Sequence, residues 1–260
     1  MGSTDNLNLP ASLLLLKAKK CDTIVQVLKL SRQRKMRWHM ESLQDKAYNA
    51  IYSKIMNLDL YPGEQVSDKQ FEDEIGVSRT PVREAMLRLR RDDMLYSLPQ
   101  SGTYVTQIDL KKSLDARYAR QILESQIAES IGGSLTDSQI DELSGLVQQQ
   151  DSASEKDQIH RFFQTDNEFH EKIYQFADKE NIWQWLLSFS TDLNRYRLLR
   201  VYDTNLPMNR LTNEHAEIIK AFADHDAKKV RELVYSHLNL MLSEQQSVLD
   251  KFPNYFTNIK

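Results

Sequence analysis

The chain has 260 residues, of which 40% are apolar, and its 34 basic and 37 acidic side chains leave a formal net charge of −3. Seven glycines and six prolines are under half the usual share, which favours long helices over a turn-rich all-β fold. The longest apolar run, Leu13–Leu16, is too short to span a membrane, and a lone Cys21 excludes an internal disulfide or a multi-cysteine metal site and suits a reducing cytoplasm.

Residues 1–40 carry eight basic and two acidic side chains, a net of +6, so the remaining 220 residues carry −9. Met1-Gly2-Ser3 at one end and His39-Met40 at the other are common at cloning junctions. The segment reads as a vector-derived or misannotated leader with Met40 as the native start. The rival reading is a basic arm that touches DNA phosphates or a membrane surface.

From 41 to 109 the pattern predicts a small domain of three helices and a hairpin. Leu43, Ala47, Ala50, Ile51, Ile55 and Leu58 recur at helical spacing. Pro62-Gly63 forces a turn, and Ser67 with Gln70 predicts a capping box on a second helix running through Ile75. Gly76-Val77 bends the chain into a third helix with Ser78 as its N-cap and Val82, Ala85, Met86 and Leu89 as its apolar stripe. Leu95–Leu98 and Thr103–Thr106, joined by Pro99-Gln100-Ser101-Gly102, predict a hairpin. That order is a winged helix-turn-helix.

On the third helix Arg79, Arg83 and Arg90 fall within about 40° of one another beside the stripe. Arginine in a major groove can bond guanine O6 and N7 together, and Ser78 and Thr80 can reach phosphate. A bare arginine stripe would read as a solvated face; the bend before it and the hairpin after it favour DNA. Gly76–Ala85 with Arg88-Leu89 resembles the recognition-helix motif of GntR-type transcription regulators. Leu60-Tyr61-Pro62-Gly63-Glu64 and Pro99–Val105 are similar to that family's turn and wing. The resemblance implies a DNA-binding set of Lys69, Ser78, Arg79, Thr80, Arg83 and Gly102, with Arg79 and Arg83 reading bases and Gly102 at the wing tip. Asp93 departs from it, standing where a glycine is frequent before the wing.

From 110 to 250 the pattern is helical throughout, with helices expected near 111–132, 136–152, 156–177, 180–200, 207–224 and 226–249 and a tail over 251–260. Thr136 and Asp137 are caps and Gly132-Gly133 a stop. Short connections predict an antiparallel all-α bundle. Asp166 and His170, four apart, share a helix face, and His215 and His237 lie on two later helices. Singly, each histidine is more often a packing or surface residue. Converging, the four would bind a divalent Zn, Mn, Ni or Fe ion with positions left for water or a carboxylate.

Asp166–His170 with Ile173, Glu214-His215 with Ile218, and His237 resemble the D-x-x-F-H, E-H and final-His pattern of the FCD effector domain, found in the FadR-type branch of GntR regulators. Arg120–Glu124 is similar to that branch's R-x-x-L-E motif. The resemblance implies a metal held by Asp166, His170, His215 and His237, a homodimer, and a small organic-acid effector. Arg120, and less strongly Arg117, would bind the acid; an ion pair with Glu124 is the competing role for Arg120. Arg195, Arg197 and Arg200 either line the cavity or face water. His160 and His225 match no ligand position.

The implied function is a cytoplasmic transcription regulator, a repressor, binding double-stranded DNA and answering to the acid. The competing readings are a metal-dependent hydrolase or lyase carrying a DNA-binding domain, and a bundle that only dimerises. Against the enzyme, Glu168 lies about 200° round the helix from Asp166 and offers no general base.

Overall fold

The computed structural model describes residues 42–202 and 207–259. The expected leader over 1–40 lies outside them.

Helix α1 (Leu43–Met56) starts where Ser42 Oγ accepts from the Asp45 N–H at 3.0 Å, and it buries Ala47, Ile51 and Ile55. Helix α2 (Asp68–Ile75) is capped by Ser67 Oγ accepting from the Gln70 N–H at 3.2 Å. The reciprocal half of the expected capping box is not made: Gln70 donates to Glu74 at 3.3 Å instead. Gly76 ends α2 at φ +70°, a left-handed conformation that glycine takes without strain. Helix α3 (Arg79–Arg91) follows. Ser78 has the extended backbone of an N-cap, but its side chain makes no capping bond.

The expected hairpin is present as β2 (Leu95–Leu98) and β3 (Gly102–Val105). It is widened to three antiparallel strands by β1 (Gln65–Val66), in the order β1-β3-β2. Asp93, in the glycine position, sits at φ +56°, a region that aspartate tolerates better than most residues. Ile51, Phe71, Val82, Leu89 and Val105 close one core between the three helices and the wing. Burying each large side chain stabilises by about 1.5–3 kcal/mol.

The second half holds helices α4 (Leu110–Ile131), α5 (Asp137–Glu155), α6 (Ile159–Phe176), α7 (Glu180–Phe189), α8 (Thr191–Tyr202), α9 (Met208–Ala223) and α10 (Ala227–Lys251). Thr136 and Gln139 form a complete capping box on α5. Gly132 does stop α4, but in right-handed conformation; its reason is proximity, since a Cβ there would come within 2.5 Å of Ala227 Cα. The single helix expected over 180–200 is two. They meet at Ser190, whose Oγ donates to the Leu186 carbonyl at 2.6 Å and whose own carbonyl starts the next helix by accepting from Asn194. Phe169, Ile173, Tyr174, Trp183, Ile218 and Phe222 anchor the bundle core.

Between the halves runs a second, two-stranded sheet. β4 (Ile108–Asp109) pairs in parallel with β5 (Phe256–Thr257), which follows a short turn of 3-10 helix over Pro253–Tyr255. Gln107 donates to the Asn254 carbonyl and Asn258 to Asp109, both at 2.7 Å. Tyr255 stacks on Tyr61 of the first half, ring centroids 5.9 Å apart. Arg195 of α8, almost wholly buried, donates to the Thr106 carbonyl at 2.6 Å and to Asp192 at 2.6 Å.

Asp109 also caps α4, accepting from the Lys112 N–H at 3.0 Å. Partial burial raises its pKa, but the Lys112 N–H, Asn258 and the Lys112 charge outweigh this and hold the carboxyl below its ordinary range. A carboxylate depressed on folding stabilises above its unfolded pKa and loses that contribution as pH falls through the folded one. Asp109→Asn should therefore lower stability at neutral pH and flatten its decline below about pH 4, as read by urea unfolding across pH.

Candidate metal centre and nucleic-acid interface

Arg79 and Arg83 stand out from α3, their side chains 64% and 63% exposed. Both lean on α2. Arg83 Nε donates to Asp68 Oδ2 at 3.0 Å, and Arg79 Nε lies 3.8 Å from both Asp68 and Glu72. The bond takes Nε alone, so the terminal Nη groups of this exposed side chain remain to match a guanine edge. Lys69, Ser78 and Thr80 are exposed beside them. Arg90 goes elsewhere: its Nη1 donates to Ser97 Oγ in the wing at 2.9 Å. Gly102 sits at φ +135°, and a Cβ there would meet Gln65 Nε2 at 2.5 Å. That amide holds the Ser101 carbonyl at 2.9 Å. Gly102→Ala should displace the wing tip and lower DNA affinity with little change in thermal unfolding; unchanged binding would remove the tip from the interface.

In the bundle, Asp166 and His170 on α6, His215 on α9 and His237 on α10 come together, all buried, with one ligand atom from each within 4.8 Å of the others. Each histidine is aimed by a partner on its Nδ1. For His170 it is the Glu124 carboxylate, for His215 Gln150 Oε1 at 2.8 Å, and for His237 Glu214 Oε2 at 2.8 Å. Gln150 also donates its amide N–H to Asp166 Oδ1 at 3.1 Å, which fixes its oxygen towards His215. All three Nδ1 atoms are therefore donors, which in the neutral ring leaves each Nε2 to present a lone pair.

Those lone pairs face inward. His215 Nε2 and His237 Nε2 are 3.2 Å apart, His215 Nε2 is 3.8 Å from Asp166 Oδ1, and His170 Nε2 is 3.9 Å from Asp166 Oδ2. His170 Nε2 has no hydrogen-bond partner among the described residues. With both rings in the Nδ1–H form, two acceptors face each other at 3.2 Å and repel unless a cation lies between them. Metal–nitrogen bonds of about 2.0–2.1 Å give just such a separation. Burial, then Arg120, pushes His170 well below its usual pKa; burial and His237 do the same to His215. Burial alone would raise Asp166, but Arg197 and the rings hold it far below the carboxylate range. Neutral imidazoles and an ionised carboxylate are the forms that bind metal.

A small cavity of about 40 Å³ opens beside this cluster. Its polar wall is Arg117, Arg120, Arg197 and Arg200; Phe162, Leu193 and Met241 are among its apolar lining. Arg120 Nε is paired with Glu124 Oε2 at 3.1 Å, the competing role weighed from sequence, while its Nη2 has no partner among the described residues. Arg197 pairs with Asp166, and Arg200 with Glu244. Burial and Arg120 bring Arg197 down to about 9. Glu168 is turned away and accepts from Gln164 at 2.7 Å.

Sequence reasoning missed the orienting set. Glu124 and Glu214 stood inside the quoted motifs, and their place beside ligand positions was the available signal. Gln150 gave none, since nothing in its neighbourhood on α5 marks it.

Residues 43–105 match the family of bacterial regulatory proteins described as gntR, and residues 115–240 match the FCD domain. The HTH-type transcriptional repressor RspR of Escherichia coli is 26% identical over 217 residues, 84% of this chain and 95% of that one. The Nta operon transcriptional regulator of Aminobacter aminovorans is 26% identical over 178 residues, 68% of this chain and 82% of its own length. The solved structure of E. coli McbR/YncC superposes with a TM-score of 0.65 at 21% identity, covering 80% of this chain and all of that one, a likeness of fold. Among the described residues no helix is long and apolar enough to cross a membrane.

Proposed function

Because this chain belongs to the gntR family of bacterial regulatory proteins and carries an FCD domain, it is a DNA-binding transcription regulator, and we propose that a small organic acid, bound at a divalent metal in the bundle, sets its affinity for an operator. The observation that carries the reading is the inward convergence of three Nε2 lone pairs on Asp166. Asp166, His170, His215 and His237 would hold the ion; Zn, Mn, Ni and Fe all suit the donor set. The bound ion supplies open coordination positions for a carboxylate, and the buried arginines beside it neutralise the acid's charge.

The protein acts as a cytoplasmic homodimer, placing two recognition helices on the half-sites of a palindrome. Arg79 and Arg83 read base edges, Lys69, Ser78 and Thr80 hold phosphates, and Gly102 leads the wing. Repression fits the role of the Escherichia coli relative, the transcriptional repressor RspR. The acid shifts DNA affinity only if it binds the two domain arrangements unequally. Arg195 supports such a link, because the helix that lines the cavity with Arg197 and Arg200 also grips the interdomain segment at Thr106.

The test is elemental analysis of protein purified without chelators, before and after His215→Ala. About one divalent ion per chain is expected in the parent, with occupancy and the DNA-binding response to added acids both reduced in the variant. Equal metal content in the two would overturn the assignment.

A further inference from the structure

Four arginines line the cavity, and three have an acidic partner: Arg120 with Glu124, Arg197 with Asp166, Arg200 with Glu244. Arg117 is different. It is 8% exposed, and among the described residues no carboxylate lies within 4.0 Å of it. Its Nη1 donates to two neutral amides, Gln121 Oε1 at 2.9 Å and Asn239 Oδ1 at 3.4 Å, and its Nε has no partner. A buried guanidinium is costly to desolvate unless an anion compensates it. A divalent ion at the histidine cluster would add further positive charge to the same cavity.

We propose that the effector carries two anionic groups: one carboxylate at the ion, and a second group, carboxylate or phosphate-like, held by Arg117, with a short carbon chain against Phe162, Leu193 and Met241. This rests on the metal-and-acid reading above and specifies the acid. Arg117 stands one helical turn before Arg120, so both guanidinium groups lie on the cavity face of α4. Arg120 stays with Glu124 and shapes the wall; Arg117 selects the dianion. Guanidinium matches carboxylate and phosphate oxygens alike by parallel N–H donors, so the shared requirement is a second negative oxygen cluster.

The experiment is calorimetric titration of the metal-loaded full chain with butyrate, succinate and phosphonopropionate, which share a short chain and differ in the second end group. Succinate or phosphonopropionate should bind about 10–100-fold tighter than butyrate, the range expected for a charge-assisted hydrogen bond. The stronger of the two identifies the second group. In Arg117→Gln that ratio should collapse to within about threefold, and in Arg117→Lys, which keeps the charge and guards against a misfolded Gln variant, part of it should return. Equal binding of butyrate and both dianions by the parent protein would overturn the proposal and leave the metal-and-acid reading standing. So would a preference that survives intact in Arg117→Gln. A parent protein that holds metal poorly and binds none of the three acids would overturn both.

Discussion

Alanine at Glu124 is expected to lower stability by about 3–5 kcal/mol, the usual cost of stripping one partner from a buried ion pair. Glu124 is fully buried, and one carboxylate serves two groups: Arg120 Nε at 3.1 Å and His170 Nδ1. Removing it leaves Arg120 desolvated with no carboxylate and frees the His170 ring to rotate. The second effect should cut metal affinity by about 10–100-fold, as loss of an orienting partner does elsewhere. Urea unfolding in the presence of a chelator isolates the first effect; competition with a metal-sensitive dye measures the second. Glu124→Gln keeps an acceptor without the charge and should fall between. A stability change under about 1 kcal/mol would mean that water already reaches the pair.

Arg83→Ala should weaken operator binding by about 1–3 kcal/mol and relax the preference at a single base pair, while random duplex is affected far less. The geometry behind this is the Asp68 grip on Nε, which holds the guanidinium with its outer edge free. Asp68→Ala should then separate two functions. It removes a negative charge near the phosphates and should raise affinity for random DNA. It also releases Arg83 and should lower the ratio of operator to random binding. Lys69→Ala should weaken both duplexes alike and reduce the salt slope by about one counterion. Anisotropy titrations over a salt series read all three. Parallel losses on both duplexes for Arg83→Ala would make it a phosphate contact.

Local signals in this chain had physical causes that a single sequence displays. Ser67, Thr136 and the positive-φ Gly76 each mark a helix end because an orphan N–H or carbonyl must find a partner there. Asp166 and His170 were legible as a pair because four residues make about one helical turn. Their meeting with His215 and His237 was legible only through family resemblance, because no local rule brings α6, α9 and α10 together. What stayed hidden was set by tertiary packing. The break at Ser190 falls in a stretch with no glycine or proline to mark it. The stop at Gly132 was legible, but the lack of room for a side chain there was not, because Ala227, which a Cβ would meet, is 95 positions away. Gln150 became part of the site only because α5 packs against α6 and α9, and the pairing of β4 with β5 joins two segments that each look like ordinary loop.

The joint between the two halves is thus written twice in the chain, once before the bundle and once after it. Ile108 and Phe256, both buried, meet across nearly 150 intervening residues, and helices α4 to α10 lie inside that loop. During synthesis the DNA-binding half can fold early as a separate body, but the strand that locks its attachment does not exist until the bundle has been made. A chain shortened just before Phe256 should therefore keep both compact halves and lose the stiffness with which one is mounted on the other. A bulky fusion placed directly after Asn258 should press on the same seam, next to the Asp109 cap.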